Sequence, residues 1–424
     1  MIKKLLLFSL FVLPFFLKDN ISIIGCYSLI GIVFFVLNSF VYKKNKQEYK
    51  TTKEFIFFLL FVVVSICSGM LGILLSKDVF TSKDIIRDIL YISSGVIICF
   101  SAINVFKFYE INIKFSEVVT ILYASVFFVT TIYLIQIFMG LNYNVNSFLD
   151  LNAVFWAKRE AGEIPNLTSI GLGALLILPH KKRWIHKLII LYGIIGSIIF
   201  ISRTSILIIL IAWLITLFAK NKITLSLLLK TVVLMCLLIP LVMFFLGHSF
   251  NYDSASIFTD KIKNSISEIQ FWKKETFLST EEIQNNWRAF ESQKAIENMD
   301  TFSEFLVGKG LGSYVPLDLY MNLSGEDFSR VPIIHNGLIY MIYKCGILGI
   351  TAYLIGFVKL FKLSKVNTYQ KQMLLFVFLL FIINLVTTTS LYNVNFSYSL
   401  WIILILTKYN FFSKEKFLRN TITT

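Results

Sequence analysis

The sequence predicts an all-α polytopic membrane protein with about 12 transmembrane helices and one large, partly helical loop on the outer side of the membrane. Three observations support this fold class. The chain of 424 residues is 56% hydrophobic and only 15% charged, and a soluble protein of this size could not cover so much apolar surface. Uncharged apolar runs recur from one end to the other. They are continuous, whereas the strands of a β-barrel would alternate apolar and polar residues.

Each predicted helix corresponds to an apolar run, although several runs are shorter than the roughly 20 residues that span a bilayer. The first run has no small-residue cleavage site after it, so we expect a retained helix rather than a signal peptide. The predicted spans are residues 5–17, 21–42, 55–75, 85–106, 116–139, 167–179, 188–202, 204–219, 231–247, 345–361, 372–390 and 396–407.

Basic loops predict the orientation. Lys43 to Lys46, Lys181 to Arg183 and the C-terminal residues from Lys408 to Arg419 all fall on one side of the predicted helices. By the positive-inside rule that side is the cytoplasm, and both termini lie there. The net charge of +15 therefore reflects topology and requires no nucleic-acid partner.

Three regions follow from this topology. Residues 1–247 hold transmembrane helices 1–9, residues 248–334 form the large outer loop, and residues 335–424 hold an outer-edge helix and transmembrane helices 10–12. Within the loop, Ser279 to Glu282 has the pattern of a capping box that opens a helix, with Ile283, Trp287 and Phe290 on one face. A long ordered loop on one side of a helical bundle is more often functional than connective.

Arginine is rare and unevenly placed. Only seven of the 40 Lys and Arg residues are arginines, and five of them fall on the predicted outer side or at its boundary: Arg87, Arg159, Arg203, Arg288 and Arg330. A guanidinium group forms paired hydrogen bonds with phosphate and stays charged in a low dielectric. The distribution predicts an anion-binding site at the outer face of the membrane.

Each of these arginines also has a structural interpretation. Arg203 stands between two apolar runs with no polar loop to solvate it, so it marks an anion site, a structural ion pair, or a tight turn from which the guanidinium reaches outward. Arg87 precedes Asp88 and could simply pair with it. Arg288 could lie on a solvated helix face, and Arg330 is supported only by its nearness to His335 in the sequence.

A histidine motif lies where the outer loop re-enters the membrane. His335-Asn336 is followed by nine residues and then by Gly346-Ile-Leu-Gly349. A histidine with an ordinary pKa of about 6.5 suits proton transfer at this position, although it could instead cap a helix. The segment Gly308 to Gly312 lacks the context of a phosphate-binding loop and predicts a flexible turn. We find no paired carboxylates at a defined spacing and no cluster of metal ligands.

In combination, these residues resemble the O-antigen ligase and O-antigen polymerase superfamily. The resemblance rests on His335, Asn336, Gly346 and Gly349, on Arg203 between Ser202 and Thr204, and on Arg288 ahead of a helix and the Gly308–Gly312 turn. The step Gly162-Glu-Ile-Pro165-Asn166 before a span adds to it, after Arg159.

The resemblance implies a GT-C-like glycosyltransferase of the bacterial inner membrane that needs no metal or other cofactor. Its donor would be an undecaprenyl-diphosphate-linked oligosaccharide, and its partners would include the lipid bilayer, a flippase and chain-length regulator proteins. Arg203 and Arg288 would bind the diphosphate, and His335 would accept a proton from the acceptor hydroxyl. Arg159, Asn166, Arg330 and Asn336 would contact the diphosphate or the glycan.

Two activities are compatible with the resemblance. A polymerase of O-antigen or capsular polysaccharide transfers the chain to another lipid-linked repeat unit, and a ligase transfers it to lipid A core. The glycine turn and the Tyr-rich segment after His335 favour the polymerase. A flippase of lipid-linked oligosaccharides is the third alternative, but the sequence shows no internal repeat of the transporter type.

Overall fold

The computed structural model describes residues 8–12, 17, 20–45, 53–76, 80–108, 115–140, 164–178, 184–199, 203–219, 283, 286–323, 326–361, 368–387 and 394–408. Two strands in the predicted outer loop (residues 248–334, called the outer segment below), β1 (Val315–Leu323) and β2 (Glu326–Val331), form an antiparallel hairpin. The helices are α1 (Asn20–Asn45), α2 (Lys53–Leu75), α3 (Ser82–Phe108), α4 (Phe115–Gly140), α5 (Ile164–Ile177), α6 (Trp184–Ile199), α7 (Arg203–Ala219), α8 (Trp287–Glu297), α9 (Phe302–Val307), α10 (Gly337–Phe361), α11 (Thr368–Thr387) and α12 (Val394–Lys408).

Four of these helices are long and apolar enough to cross a membrane, by their length and composition. They are Ile21–Phe40 within α1, Lys53–Leu75, Ser82–Phe106 within α3, and Gly337–Phe361. Shorter apolar helices occur in α4 to α7, α11 and α12. A helix satisfies its own backbone hydrogen bonds, which is what a chain in hydrocarbon requires. The predicted class, an α-helical membrane-embedded protein, is confirmed; the number of twelve spans stays a prediction.

Most predicted boundaries agree with the observed helices to within three residues, but three spans differ, among them 372–390, which lies at Thr368–Thr387. The span predicted at 345–361 begins too late, because α10 starts at Gly337 and continues past a break at Gly346. The span predicted at 188–202 lies a few residues earlier, at Trp184–Ile199. The span predicted at 231–247 is outside the described residues, and of the first predicted span only residues 8–12 are described as helical.

The core where α2, α3, α10, α11 and α12 meet is built around Trp401. Its indole packs against the rings of Phe58, Phe357 and Phe381, with ring centroids 4.4 to 6.1 Å apart. On the α3 side the neighbour is Gly95, where a Cβ would overlap the indole. Without a hydrophobic driving force between helices in lipid, such close approach at small residues supplies the attraction.

Helices α2 and α10 pack closely against each other. The hydroxyl of Ser65 donates to the carbonyl of Gly349 at 2.7 Å, and that of Ser68 donates to the carbonyl of Cys345 at 2.7 Å. A Cβ on Gly356 would stand 2.7 Å from the Cβ of Phe61. The exposed face of α2 is apolar up to Leu74, which is 79% exposed, as expected for a surface that meets lipid.

Helices α8 and α9 of the outer segment pack against α10, and further contacts hold the outer segment together. Lys294 of α8 pairs with Asp318 of β1 at 2.8 Å. Helix α9 begins with a capping box in which Thr301 and Glu304 exchange hydrogen bonds. Burial of Glu304 opposes its ionisation, but the hydrogen bond from Lys309 and those from the backbone of Thr301 and Asp300 hold the pKa of Glu304 below its usual value.

The sequence predicted some of this segment and missed the rest. The residues of the predicted capping box at 279–282 lie outside the described part of the chain. Ile283 and Phe290 are buried, as expected of one apolar face. The hairpin was not predicted, although Val315, Leu317 and Leu319 alternate with Pro316, Asp318 and Tyr320, which is the pattern of a strand.

Candidate functional site

The motif His335-Asn336 lies directly before α10, which begins at Gly337. Asn336 caps the helix: its side-chain oxygen accepts from the backbone N–H groups of Leu338 at 3.1 Å and Ile339 at 3.2 Å. Asn336 is 2% exposed, and among the described residues its side-chain Nδ2 has no hydrogen-bond partner. The cap is therefore Asn336 rather than His335, and His335 immediately precedes the helix.

His335 is held by a carboxylate from α8. Its ring Nδ1 is 2.7 Å from Oε2 of Glu291, and its backbone N–H donates to the same oxygen at 3.1 Å. The side chain of Glu291 is only 1% exposed, whereas that of His335 is 45% exposed. The contact joins a buried carboxylate to an accessible imidazole.

Arg288 lies on the same helix, one turn before Glu291. Three residues of α-helix advance about 4.5 Å along the axis, so Arg288 and Glu291 are neighbours on one face of α8. The carbonyl of Arg288 accepts from the hydroxyl of Ser292 at 2.7 Å, and its side chain is partly buried. Helix α8 thus places Arg288 one helical turn from the residue that contacts His335.

Glu291 was missed from the sequence, although a pattern could have revealed it. Ile283, Trp287 and Phe290 predict the apolar face of this helix, and Glu291 follows at the next position of that face, eight residues after Ile283. A carboxylate on a face that is otherwise apolar indicates a buried partner.

The Gly-x-x-Gly part of the motif shapes the middle of α10. Gly346 leaves helical geometry with φ 68° and ψ −177°, and a Cβ there would overlap the carbonyl of Leu306 in α9. Only glycine combines that backbone conformation with such an approach. Gly349 faces α2 near Ser65 and Ser68. Both glycines therefore have a packing role that fixes where the N-terminal half of α10 points.

The turn from Gly308 to Gly312 is buried between α2 and α10, which differs from the flexible turn predicted. All three glycines have positive φ. Gly72 of α2 lies against this turn, and a Cβ on Gly72 would be 2.6 Å from the carbonyl oxygen of Gly308. The backbone N–H of Lys309 donates to the carbonyl of Tyr343 at 2.7 Å. Helix packing therefore holds the turn in place.

A buried network of charged residues contacts the Gly312 end of this turn. The carboxylate of Asp88 accepts from Tyr340 at 2.7 Å, from Arg87 at 3.1 Å and from the backbone N–H of Gly312 at 2.8 Å, and pairs with Lys344 at 2.9 Å. Neither Asp88 nor Lys344 is exposed. A charge that is fully buried requires such partners.

Asp84 extends the network toward the hairpin. Its carboxylate pairs with Arg87 at 2.7 Å, accepts from the hydroxyl of Tyr314 at 2.9 Å, and also bonds to Thr81. Asp84 and Asp88 are four residues apart on one face of α3, where Arg87 contacts both carboxylates. The predicted pairing of Arg87 with Asp88 is confirmed.

Arg330 and Arg87 both approach the ring of Tyr314. The guanidinium carbon of Arg330 lies 4.7 Å from the ring centroid of Tyr314, and that of Arg87 lies 6.0 Å from it. Arg330 is exposed and, among the described residues, pairs with no carboxylate. Among the described residues the Nη2 of Arg87 has no hydrogen-bond partner. Two arginines predicted on the outer side are thus brought together at the hairpin.

The other predicted site residues are placed less fully. Arg203 is the first residue of α7 and Asn166 is the third residue of α5, and only their backbones are described. Arg159 lies outside the described residues. The structure therefore places Glu291 in contact with His335, beside Asn336, with Arg288 one helical turn away along α8, and separately brings Arg87 and Arg330 to the ring of Tyr314. It does not test whether Arg159, Asn166 or Arg203 joins them.

Comparison with known proteins adds no family. No protein-family model matches the chain, and a search of curated proteins finds no significant match. The resemblance to the O-antigen ligase and polymerase superfamily rests on the residues of the sequence.

Proposed function

We propose that this protein is a metal-independent glycosyltransferase that polymerises O-antigen or capsular polysaccharide at the outer face of the bacterial inner membrane. Its donor is a glycan linked to undecaprenyl diphosphate, and its acceptor is a hydroxyl of a lipid-linked repeat unit. The observation that carries this proposal is the contact of Glu291 in α8 with His335 just before α10, since Arg288 lies one helical turn from Glu291.

The proposed step is a single displacement at the anomeric carbon. The acceptor oxygen forms a bond to that carbon while the bond to the diphosphate oxygen breaks, and the lipid diphosphate leaves with the electron pair. His335 takes the proton of the acceptor hydroxyl, a role that contributes about a hundredfold to ten-thousandfold in rate. Arg288 and Arg203 bind the diphosphate and offset the charge that grows on it. Asn336 and Arg330, with Arg159 and Asn166, contact the diphosphate or glycan.

Two properties of the residues support these roles. A side chain that is 45% exposed allows His335 to reach a substrate, while its Nδ1 is fixed by a buried group. Arg288 lies on a helix rather than a loop, and a rigid element gives a binding group a defined position.

The test is the set of variants His335→Ala, Arg288→Ala and Arg203→Ala, assayed with purified lipid-linked repeat units in proteoliposomes. We expect the rate of chain growth to fall at least about a hundredfold in the first two. Lys294→Gln is the matched control, because it removes a cation of the same helix that pairs instead with Asp318. If all three active-site variants insert normally and make chains of normal length and amount, the proposed function is wrong.

A ligase and a flippase remain the alternative functions. Loss of a polymerase leaves single repeat units on lipid A core, whereas loss of a ligase leaves bare core and long lipid-linked chains. A flippase would move repeat units across the bilayer of the proteoliposome without lengthening them. The bacterial inner membrane, the cytoplasmic termini and the flippase and chain-length regulator partners belong to this proposal.

A further inference from the structure

Two hydrogen-bonding groups of His335 meet a single oxygen atom. Oε2 of Glu291 accepts from the backbone N–H at 3.1 Å and lies 2.7 Å from the ring Nδ1. A backbone N–H can only donate, so this oxygen is an acceptor. A carboxylate has no hydrogen to donate, so opposite Glu291 the hydrogen of the neutral ring belongs on Nδ1, which leaves Nε2 with the lone pair that accepts a proton.

The two members of the Glu291–His335 pair differ in burial. Glu291 is 1% exposed and sits among buried neighbours on α8, including Phe290 and Ser292. A carboxylate in such a place is costly unless a hydrogen bond or an opposite charge balances it. The imidazole of His335, which is nearly half exposed, is in position to supply both.

Other charged groups occur on the elements that meet here. Arg288 lies on α8, Arg330 on β2, and Lys344 on α10, where Asp88 of α3 pairs with it. The carboxylate of Glu291 lies at hydrogen-bonding distance from the ring of His335, with Oε2 2.7 Å from Nδ1.

We propose that Glu291 is a positioning residue for His335, which fixes its tautomer and stabilises the charged imidazolium. The proposal rests on the proposed role of His335 as the base. In the step, the proton of the acceptor hydroxyl moves to Nε2 and the ring becomes positive. The carboxylate of Glu291 keeps its own charge and balances the new one.

Glu291→Gln separates charge from geometry. The backbone N–H of His335 still needs an acceptor, so the amide oxygen of glutamine takes the place of Oε2 and the ring keeps its tautomer. Glu291→Asp is the second variant, since it keeps the charge but shortens the reach. Glu297→Gln is the matched control, because Glu297 is exposed on the same helix and contacts Lys294 and Gln293.

Two measurements test the proposal on the full-length protein. The first is the pH at which His335 is half protonated, from histidine hydrogen–deuterium exchange, and it does not depend on activity. We expect Glu291→Gln to lower that pH by about 1 unit, since an opposite charge at contact distance favours the charged form by that much or more. Glu297→Gln should leave it unchanged, and Glu291→Asp should lie between wild type and Glu291→Gln.

The second measurement is the pH profile of chain growth. In Glu291→Gln the acidic limb should move to lower pH by the same amount, and the maximal rate should fall about tenfold to a hundredfold. An unchanged profile and rate in a folded Glu291→Gln protein, with His335→Ala inactive, would overturn the role of Glu291 and leave the proposed function standing. Full activity of His335→Ala would overturn both, whatever the protonation of the ring.

Discussion

The environment of the buried pair Asp88–Lys344 predicts that substituting Asp88 costs more stability than substituting Lys344. In Asp88→Asn the amide group would face two donors, Lys344 and the N–H of Gly312, and Lys344 would keep a buried charge without its carboxylate. Breaking a buried ion pair in this way costs about 3–5 kcal/mol. In Lys344→Met, Asp88 keeps Arg87, Tyr340 and Gly312 as donors. That loss should be about 1–3 kcal/mol.

The double variant gives the sharper test. Asp88→Asn with Lys344→Met removes the stranded cation, so the double variant should be more stable than Asp88→Asn alone. The assay is the melting temperature of the purified protein in detergent, followed by intrinsic tryptophan fluorescence. The reasoning is refuted if Lys344→Met melts at or below the temperature of Asp88→Asn, or if the two single effects simply add.

Three further predictions follow from single contacts. Gly346→Ala should lower the melting temperature and the yield of inserted protein, because φ of 68° and overlap with α9 both oppose a Cβ. Gly25→Ala should be nearly neutral in the same assay, because a Cβ added at Gly25 would have no neighbouring atom within 4 Å. Ser68→Ala should cost about 0.6 kcal/mol, through loss of its bond to Cys345, with unchanged activity as the check on folding. Because the pKa of Glu304 is lowered from its usual 4.5, its contribution to stability is present above that pH and is lost as the pH falls below it. Glu304→Gln should flatten this part of a plot of melting temperature against pH, and an unaltered slope would contradict the assignment.

Hydropathy and spacing were sufficient for the helices and for the motif around His335. A long apolar run has one stable form in lipid, so the helices appear where the runs do. Gly346 and Gly349 could be located from their spacing, but their role could not, because it depends on where Leu306 of α9 approaches α10. The sequence alone gives no distance between such remote segments.

Charged residues were harder to place. Glu291 and Asp88 look like ordinary acids in a polar loop and at a helix start, and only tertiary contacts remove them from water. Lys344 lies in an apolar run that the sequence resolved as a span starting one residue later. Its buried pairing depends on α3, which precedes it by more than two hundred residues. Pairs so far apart in the chain cannot be inferred from local patterns.

The close contact between Gly72 and the Gly308–Gly312 turn limits which chimeras of this protein can fold. A loop that stands clear of the bilayer can be exchanged between related proteins as a cassette. Here the turn carries backbone contacts to an early helix, including the N–H of Leu311 bonded to the carbonyl of Gly69 at 3.3 Å. A chimera that receives residues 286–336 would also need the small residues of α2 that receive them. The sequences of the outer segment and of the second helix should therefore be inherited together.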